Sequence, residues 1–166
     1  MTASAIVKHF TDGVITVADG TGSPVTLVVP LSVGDLSISG LAKDAKARAT
    51  NVYEVRGAVS SLRRGAREYP TVSFSAQLAD LSDATDQTLV DFLKKTGSYA
   101  ANISTSVAAG DVYTVKITLT IEGTDLGDSA DHTIVMNDVD VRFAIAEGEP
   151  NTVTVEGTIY GNVTFT

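Results

Sequence analysis

The sequence predicts a mainly β domain carrying one α-helix, and three stretches support that prediction. Val72, Phe74, Ala76 and Leu78 alternate with Thr71, Ser73, Ser75 and Gln77, the period of two expected of a strand with one buried face. The period then changes. Leu89, Val90, Phe92 and Leu93 take spacings that line one side of a helix, with acids before them and lysines after. Beyond it Tyr113, Val115, Ile117, Leu119 and Ile121 alternate with Thr114, Lys116, Thr118, Thr120 and Glu122, so the chain returns to strand.

In chain order, Ile6 to Phe10 reads as an opening strand. Thr11-Asp12-Gly13 supplies the turn that returns it through Val14 to Ala18. After the turn Asp19 to Pro24, residues Val25, Leu27, Val29, Leu31 and Val33 keep one parity across Pro30. A proline has no amide donor, so position 30 belongs at an edge, a bulge or a strand end. Leu36 and Ile38 continue the pattern and Gly40 closes it. From Leu41 to Glu68 periodicity weakens: Ala42 to Thr50 fits a helical fragment or an irregular loop, and Asn51 to Arg56 has strand character. Ser61 to Arg67 sets a glycine among basic residues, as an exposed turn does.

The helix has candidate caps in Ser82, Asp83 and Thr85 and acids at Asp83 and Asp86. Lys94 and Lys95 suit its negative end, and Gly97 is the expected stop. Ile103, Thr105 and Val107 are expected to form a hairpin with the following strand across Ala108 to Asp111. In the next strand Ile134 and Met136 are even, whereas Val139, Val141, Phe143 and Ile145 are odd. A regular strand would turn half of them outward, so a β-bulge is predicted near Asn137-Asp138. The last strand runs from Val153 to Phe165, with Gly157 and Gly161 placed to bend it or admit another backbone.

Composition limits the function classes. A chain of 166 residues is the size of a single domain that buries a core without staples. It has no cysteine, which excludes disulfides, thiolate metal sites and a cysteine nucleophile. No leader pattern opens the sequence and no apolar run approaches a membrane span. The formal charge of −8 argues against general affinity for nucleic acid. Yet Lys43, Lys46, Arg48, Arg56, Arg63, Arg64 and Arg67 fall in one segment, opposed only by Asp44, Glu54 and Glu68. That segment is either a solvated loop or a surface that attracts an identical, acidic copy.

Catalytic patterns are absent from the sequence. His9 and His132 lie in no nucleophile or metal motif, and neither a nucleophile elbow nor a phosphate loop is present. No enzyme, cofactor, metal site or catalytic residue is expected. Asp125, Asp128, Asp131 and His132 form the best metal-like cluster, but their spacing departs from a calcium loop and matches ordinary turn composition. The polar face Thr114, Lys116, Thr118, Thr120 and Glu122 reads either as solvent-exposed or as a channel wall completed by partner subunits.

With these segments in order, the chain resembles the tail tube (major tail) proteins of long-tailed bacteriophages and phage-like gene-transfer particles. The resemblance runs through Val33-Gly34-Asp35-Leu36-Ser37-Ile38-Ser39-Gly40-Leu41, Leu62-Arg63-Arg64-Gly65 and Tyr69-Pro70-Thr71-Val72-Ser73-Phe74-Ser75. It continues through Phe92-Leu93-Lys94-Lys95-Thr96-Gly97, Ile121-Glu122-Gly123-Thr124-Asp125 and Ala146-Glu147-Gly148-Glu149-Pro150-Asn151 to the glycine-spaced last strand.

The resemblance implies two packed antiparallel sheets, sandwich or barrel-like, with a helix alongside, in a single domain over 1–166. It implies homohexameric rings stacked as a tube in a virion or particle tail, assembled in the host cytoplasm without a membrane. Its implied partners are a tape-measure protein, a tail terminator or baseplate components, and double-stranded DNA in transit without sequence-specific binding. An acidic lumen would keep DNA from adhering. The basic extended loop at about 42–68 then becomes a subunit or ring contact through Lys43, Lys46, Arg48, Arg63, Arg64 and Arg67. The competing classes are a tail terminator, adaptor or secretion-tube ring component, and a monomeric β-sandwich module for virion decoration or adhesion.

Overall fold

The computed structural model describes residues 13–42, 48–82, 85–106, 110–123 and 129–166. Its strands are β1 (Gly13–Ala18), β2 (Thr26–Val28), β3 (Ser37–Ser39), β4 (Arg48–Val55), β5 (Ala58–Arg67), β6 (Thr71–Gln77), β7 (Thr114–Ile121), β8 (His132–Ala146), β9 (Thr152–Ile159) and β10 (Val163–Phe165). One helix, α1 (Leu89–Lys94), precedes a 3-10 turn over Gly97–Tyr99. An eight-stranded antiparallel sheet runs β2-β1-β7-β8-β9-β6-β3 with β10 also on β8, and β4 and β5 form a second sheet of two strands. The fold is thus mainly β, sandwich or barrel-like, with one α-helix.

The alternation in β6 and β7 has the expected consequence. Val72, Phe74, Ala76, Val115, Ile117, Leu119 and Ile121 are buried in one core with Ile15, Val17, Met136, Val139, Val153, Val155 and Ile159. Lys116, Thr118 and Thr120 take the outer face of β7, where Thr118 lies between Thr16 and Val135. The bulge in β8 is present: Val115 faces Val139 and Ile117 faces Met136, so β8 uses one more residue than β7 across Asn137–Asp138. Asp138 takes the left-handed conformation there, with φ 53°. This extra residue keeps Ile134, Met136 and Val139 all inside.

Four expectations are corrected. The last strand is not continuous: β9 stops at Ile159 and β10 begins at Val163, with the break facing the β8 bulge. There Gly161 N–H donates to the Asn137 carbonyl at 3.1 Å and Tyr160 N–H to that of Asp138 at 3.0 Å. A Cβ on Gly161 would collide with the Asn137 main chain, so the glycine does admit another backbone. The shared parity from Val25 to Val33 is likewise not one strand: β2 stops at Val28, and Pro30 marks the strand end expected of a residue without an amide donor. Val29 N–H bonds Ile15, whereas Val33 N–H bonds Ser75 and the Leu31 carbonyl receives Gln77 N–H. The chain turns a corner at Pro30 and Leu31 from one end of the sheet to the other, leaving Leu31 and Val33 exposed. This crossing curls the sheet towards closure.

The helix is shorter than expected. Thr88, rather than Ser82, Asp83 or Thr85, is its N-cap: Asp91 N–H donates to Thr88 Oγ1 at 3.1 Å. Lys95, with φ 56°, ends it before Gly97. Asp83 lies outside the described residues. Residues 103–106 are irregular instead of a strand, although Thr105 N–H still donates to the Thr114 carbonyl at 2.9 Å. Asp19, buried at this end, takes over their fixation by accepting Val25 N–H at 2.7 Å and Ile103 N–H at 3.1 Å. Val107 and the opening strand Ile6 to Phe10 lie outside the described residues.

Tyr99 packs edge-on against Phe92 with ring centroids 4.8 Å apart, and its buried hydroxyl finds no hydrogen-bond partner among the described residues. A buried unsatisfied hydroxyl costs about 1–3 kcal/mol, so Tyr99→Phe is expected to stabilise the fold by about 1 kcal/mol, read by urea denaturation. Burial, and then the Asp91 carboxylate, raise the Tyr99 pKa above its ordinary 10.0. The unfolded tyrosine therefore ionises first, and stability is lost as pH rises from about 10 through the folded value. The phenylalanine variant should lose part of that alkaline sensitivity; an unchanged denaturation profile would count against the orphaned hydroxyl.

Candidate subunit-contact surface

The basic segment forms an arm. β4 and β5 pair with one another from Arg48 opposite Arg67 to Val55 opposite Ala58. Arg56 and Gly57, with φ 53° and 75°, make the two-residue turn between them. Positive φ at both positions is the type I′ geometry that matches strand twist in a hairpin. The turn expected around Gly65 is therefore strand instead. At ~3.3 Å per residue an eight-residue strand gives the arm a length of roughly 26 Å.

Almost every residue of the arm is exposed. Its side chains are sorted along its length. Arg48, Arg67, Arg64 and Arg63 occupy the root, where Arg48 lies directly opposite Arg67, Thr50 opposite Arg64 and Asn51 opposite Arg63. The outer half carries the large apolar side chains: Val52 lies opposite Leu62, followed by Tyr53, Val55 and Val59, with Glu54 and, at the turn, Arg56 among them. Leu62 is 64% exposed and Val55 62%. The Arg63 guanidinium sits 6.0 Å from the Tyr53 ring centroid, at the outer limit of a cation–π contact.

Of the six residues expected to make contacts, the structure brings Arg48, Arg63, Arg64 and Arg67 together at the root of one hairpin. Lys43 and Lys46 lie outside the described residues. Sequence reasoning gave Asn51 to Arg56 strand character, as β4 bears out, but missed the apolar side chains of the arm as part of the candidate contact surface. Their signal was present in Val52, Tyr53, Val55, Val59 and Leu62, hydrophobic residues interleaved with a charge run.

Physical chemistry gives this arm a requirement. An isolated two-stranded ribbon is at best marginally stable in water, and like charges facing across a ladder destabilise it. Exposed apolar side chains grouped beside cations make this arm the candidate contact surface.

Elsewhere the chemistry stays dispersed. Asp125 and Asp128 fall outside the described residues, while the Asp131 carboxylate accepts Gly123 N–H at 3.1 Å. Among the described residues no group of three His, Cys, Asp or Glu is placed to hold a metal ion. None of the described helices is long and apolar enough to cross a membrane. A shallow polar depression of about 450 Å³ over β6, β8 and β9 is lined by Gly157 with Thr71, Ser73, Asp140, Arg142 and Glu156. A second groove, of about 270 Å³, lies between the start of α1 and the end of β6. Leu78, Leu89, Val90 and Val153 line it with Asp80 and Asp86.

The fold is shared with parts of contractile injection particles. The chain matches a structure of the sheath/tube terminator of PVC, an extracellular contractile injection system, with TM-score 0.53 and 12% identity over 93% of this chain and 92% of that one. It matches a chain of the PVC sheath–tube complex with TM-score 0.56 and 11% identity, covering 94% and 88%. The tube-terminating cap of the anti-feeding prophage matches with TM-score 0.54 and 12% identity, covering 100% and 93%. No protein-family model matches the chain, and no curated protein does.

Proposed function

We propose that this chain is a structural subunit of a phage-tail-like particle, in which hexameric rings stack into a tube through the β4–β5 arm. The arm carries the reading: a long, exposed ribbon with a basic root and large apolar side chains in its outer half has no use in an isolated acidic domain. The shared fold supports a tail-associated role, and one matching chain belongs to an anti-feeding prophage baseplate structure with six-fold symmetry. A second feature favours joining between copies. β7 stops at Thr114 opposite Asp140, so Val141 to Ala146 of β8 pair only with β9 among the described residues. Such an edge accepts another strand.

In this reading the tube is a conduit for DNA and holds a tape-measure protein during assembly. Its bore is lined by neutral and acidic strand faces, to which DNA does not adhere. The role is mechanical rather than catalytic. A terminal ring is the second reading, favoured by the comparable fit to a terminator and a terminating cap.

Electron microscopy and mass measurement over a concentration series test both. Stacked rings or hollow tubes support the tube subunit, single closed rings support a terminator, and a persistent monomer overturns both. Replacing Arg63, Arg64 and Arg67 by glutamate should raise the concentration needed for assembly at least tenfold, equivalent to about 1.4 kcal/mol. The variant monomer should keep its circular-dichroism spectrum, and normal tubes from it would overturn the role of the arm.

A further inference from the structure

Resting on that reading, the geometry points to the receptor for the arm: we infer that the groove between α1 and the end of β6 takes the β4–β5 hairpin of a second copy. The groove and the arm are complementary in two ways. Leu78, Leu89, Val90 and Val153 form the apolar part of the groove, and Asp80 and Asp86, with Gln77, Gln87 and Thr88, form its polar part. The arm presents the converse pattern, with Val52 and Leu62 as an apolar pair beyond a cluster of arginines. From Ala79 to Thr88 the sequence holds Asp80, Asp83 and Asp86 and no lysine or arginine. From Arg48 to Arg67 it holds five arginines and a single acid, Glu54.

The occupant is a second copy because the arm's side chains are exposed on their own domain, so the two surfaces do not meet within one molecule. A volume of about 270 Å³ fits one or two aliphatic side chains rather than a whole strand. Leu62 is therefore the residue that enters, while the arginines remain at the rim. Desolvating Leu62 in the apolar part of the groove supplies affinity, and the charges set orientation and the rate of encounter. The polar depression over Gly157 also carries carboxylates, Asp140 and Glu156, but it is a poorer receptor, because Arg142 stands among them and Val72 is the only large apolar side chain in its lining.

The absence of cysteine makes the test direct. One preparation carries Leu62→Cys and another Ala79→Cys, a groove-lining position. On mixing and mild oxidation, the expected product is a disulfide-linked pair of unlike copies. It should form at least tenfold faster than from Leu62→Cys mixed with Val14→Cys, an exposed control on β1. Adding Asp80→Lys and Asp86→Lys to the groove copy should remove that excess, and Arg63→Glu with Arg64→Glu on the arm copy should restore it. Circular dichroism on each variant establishes that it is folded. Cross-linking no faster than the control would overturn the inference, as would indifference to charge reversal. Tubes that form without the 62–79 link would leave the tube reading standing and remove the groove. The link in a protein that never forms rings would do the reverse.

Discussion

Truncating Phe92 to alanine is expected to destabilise the monomer by about 3–5 kcal/mol, the range for a large aromatic removed from a close-packed core. Phe92 is fully buried, and its ring meets Tyr99 edge-on with centroids 4.8 Å apart. A six-residue helix cannot hold itself in water, so α1 exists because Leu89, Val90, Phe92 and Leu93 are buried against the sheet. The loss should lower the midpoint of thermal unfolding by roughly 10 °C in a chain of this size. By contrast, Leu62→Ala should leave monomer stability within about 0.5 kcal/mol, because that side chain is 64% exposed. Paired calorimetry of the two variants separates residues that hold the fold from residues that do not. A loss below about 1 kcal/mol for Phe92→Ala would mean that α1 lies outside the cooperative core.

The legible parts of the fold were those where periodicity and burial report the same thing. Val72 to Leu78 and Tyr113 to Ile121 keep strict alternation because each strand has one face in the core. The change of parity between Met136 and Val139 located a bulge, since a register slip would have exposed half of β8. Parity failed where the chain changes partner without changing pattern. Val25, Leu27, Val29, Leu31 and Val33 look like one strand, yet Leu31 has φ 52° and the pairing passes from β1 to β6 around it. Nothing in an alternating pattern records which neighbour a strand has.

The proposed contact surface was half legible for a related reason. Clustered cations are visible in any sequence, so Arg63, Arg64 and Arg67 could be singled out. Strand character at Asn51 to Arg56 was legible and β4 bears it out, whereas β5 buries neither face, shows no alternation and was read as a turn around Gly65. The arm's turn is Arg56-Gly57 rather than the usual Asn-Gly or Asp-Gly, and an arginine at positive φ gives no warning. The irregular stretch at 103–106 was misread from the apolar parity of Ile103 and Val107. Its backbone is instead held by the Asp19 carboxylate and by Thr105 N–H on the Thr114 carbonyl.

Asp91 is the polar counterpart of Phe92, and Asp91→Ala is expected to cost about 2 kcal/mol. Its carboxylate is almost fully buried, with no more than 1% of the residue exposed. It accepts hydrogen bonds from Ser82 Oγ at 2.9 Å, Thr96 Oγ1 at 2.7 Å and Thr88 Oγ1 at 3.1 Å. One side chain thus ties the approach to α1, its N-cap and the segment beyond its C-terminus. Removing it strands the buried Thr88 hydroxyl, whereas Ser82 and Thr96 are exposed and turn to water; a bond to a charged acceptor is worth about 1.5–3 kcal/mol. Asp91→Asn retains an acceptor oxygen and should lose roughly half as much. Urea denaturation of the two variants, with Thr96→Val for a double-mutant cycle, measures the coupling. Coupling below about 0.5 kcal/mol would mean that the carboxylate acts alone. The same change reaches the proposed contact surface, because Thr88, Leu89 and Val90 line the groove that α1 forms with the end of β6. Asp91→Ala should therefore slow the 62–79 cross-link when carried by the groove copy and leave it unchanged when carried by the arm copy. That asymmetry distinguishes a disturbed receptor from a general loss of folding.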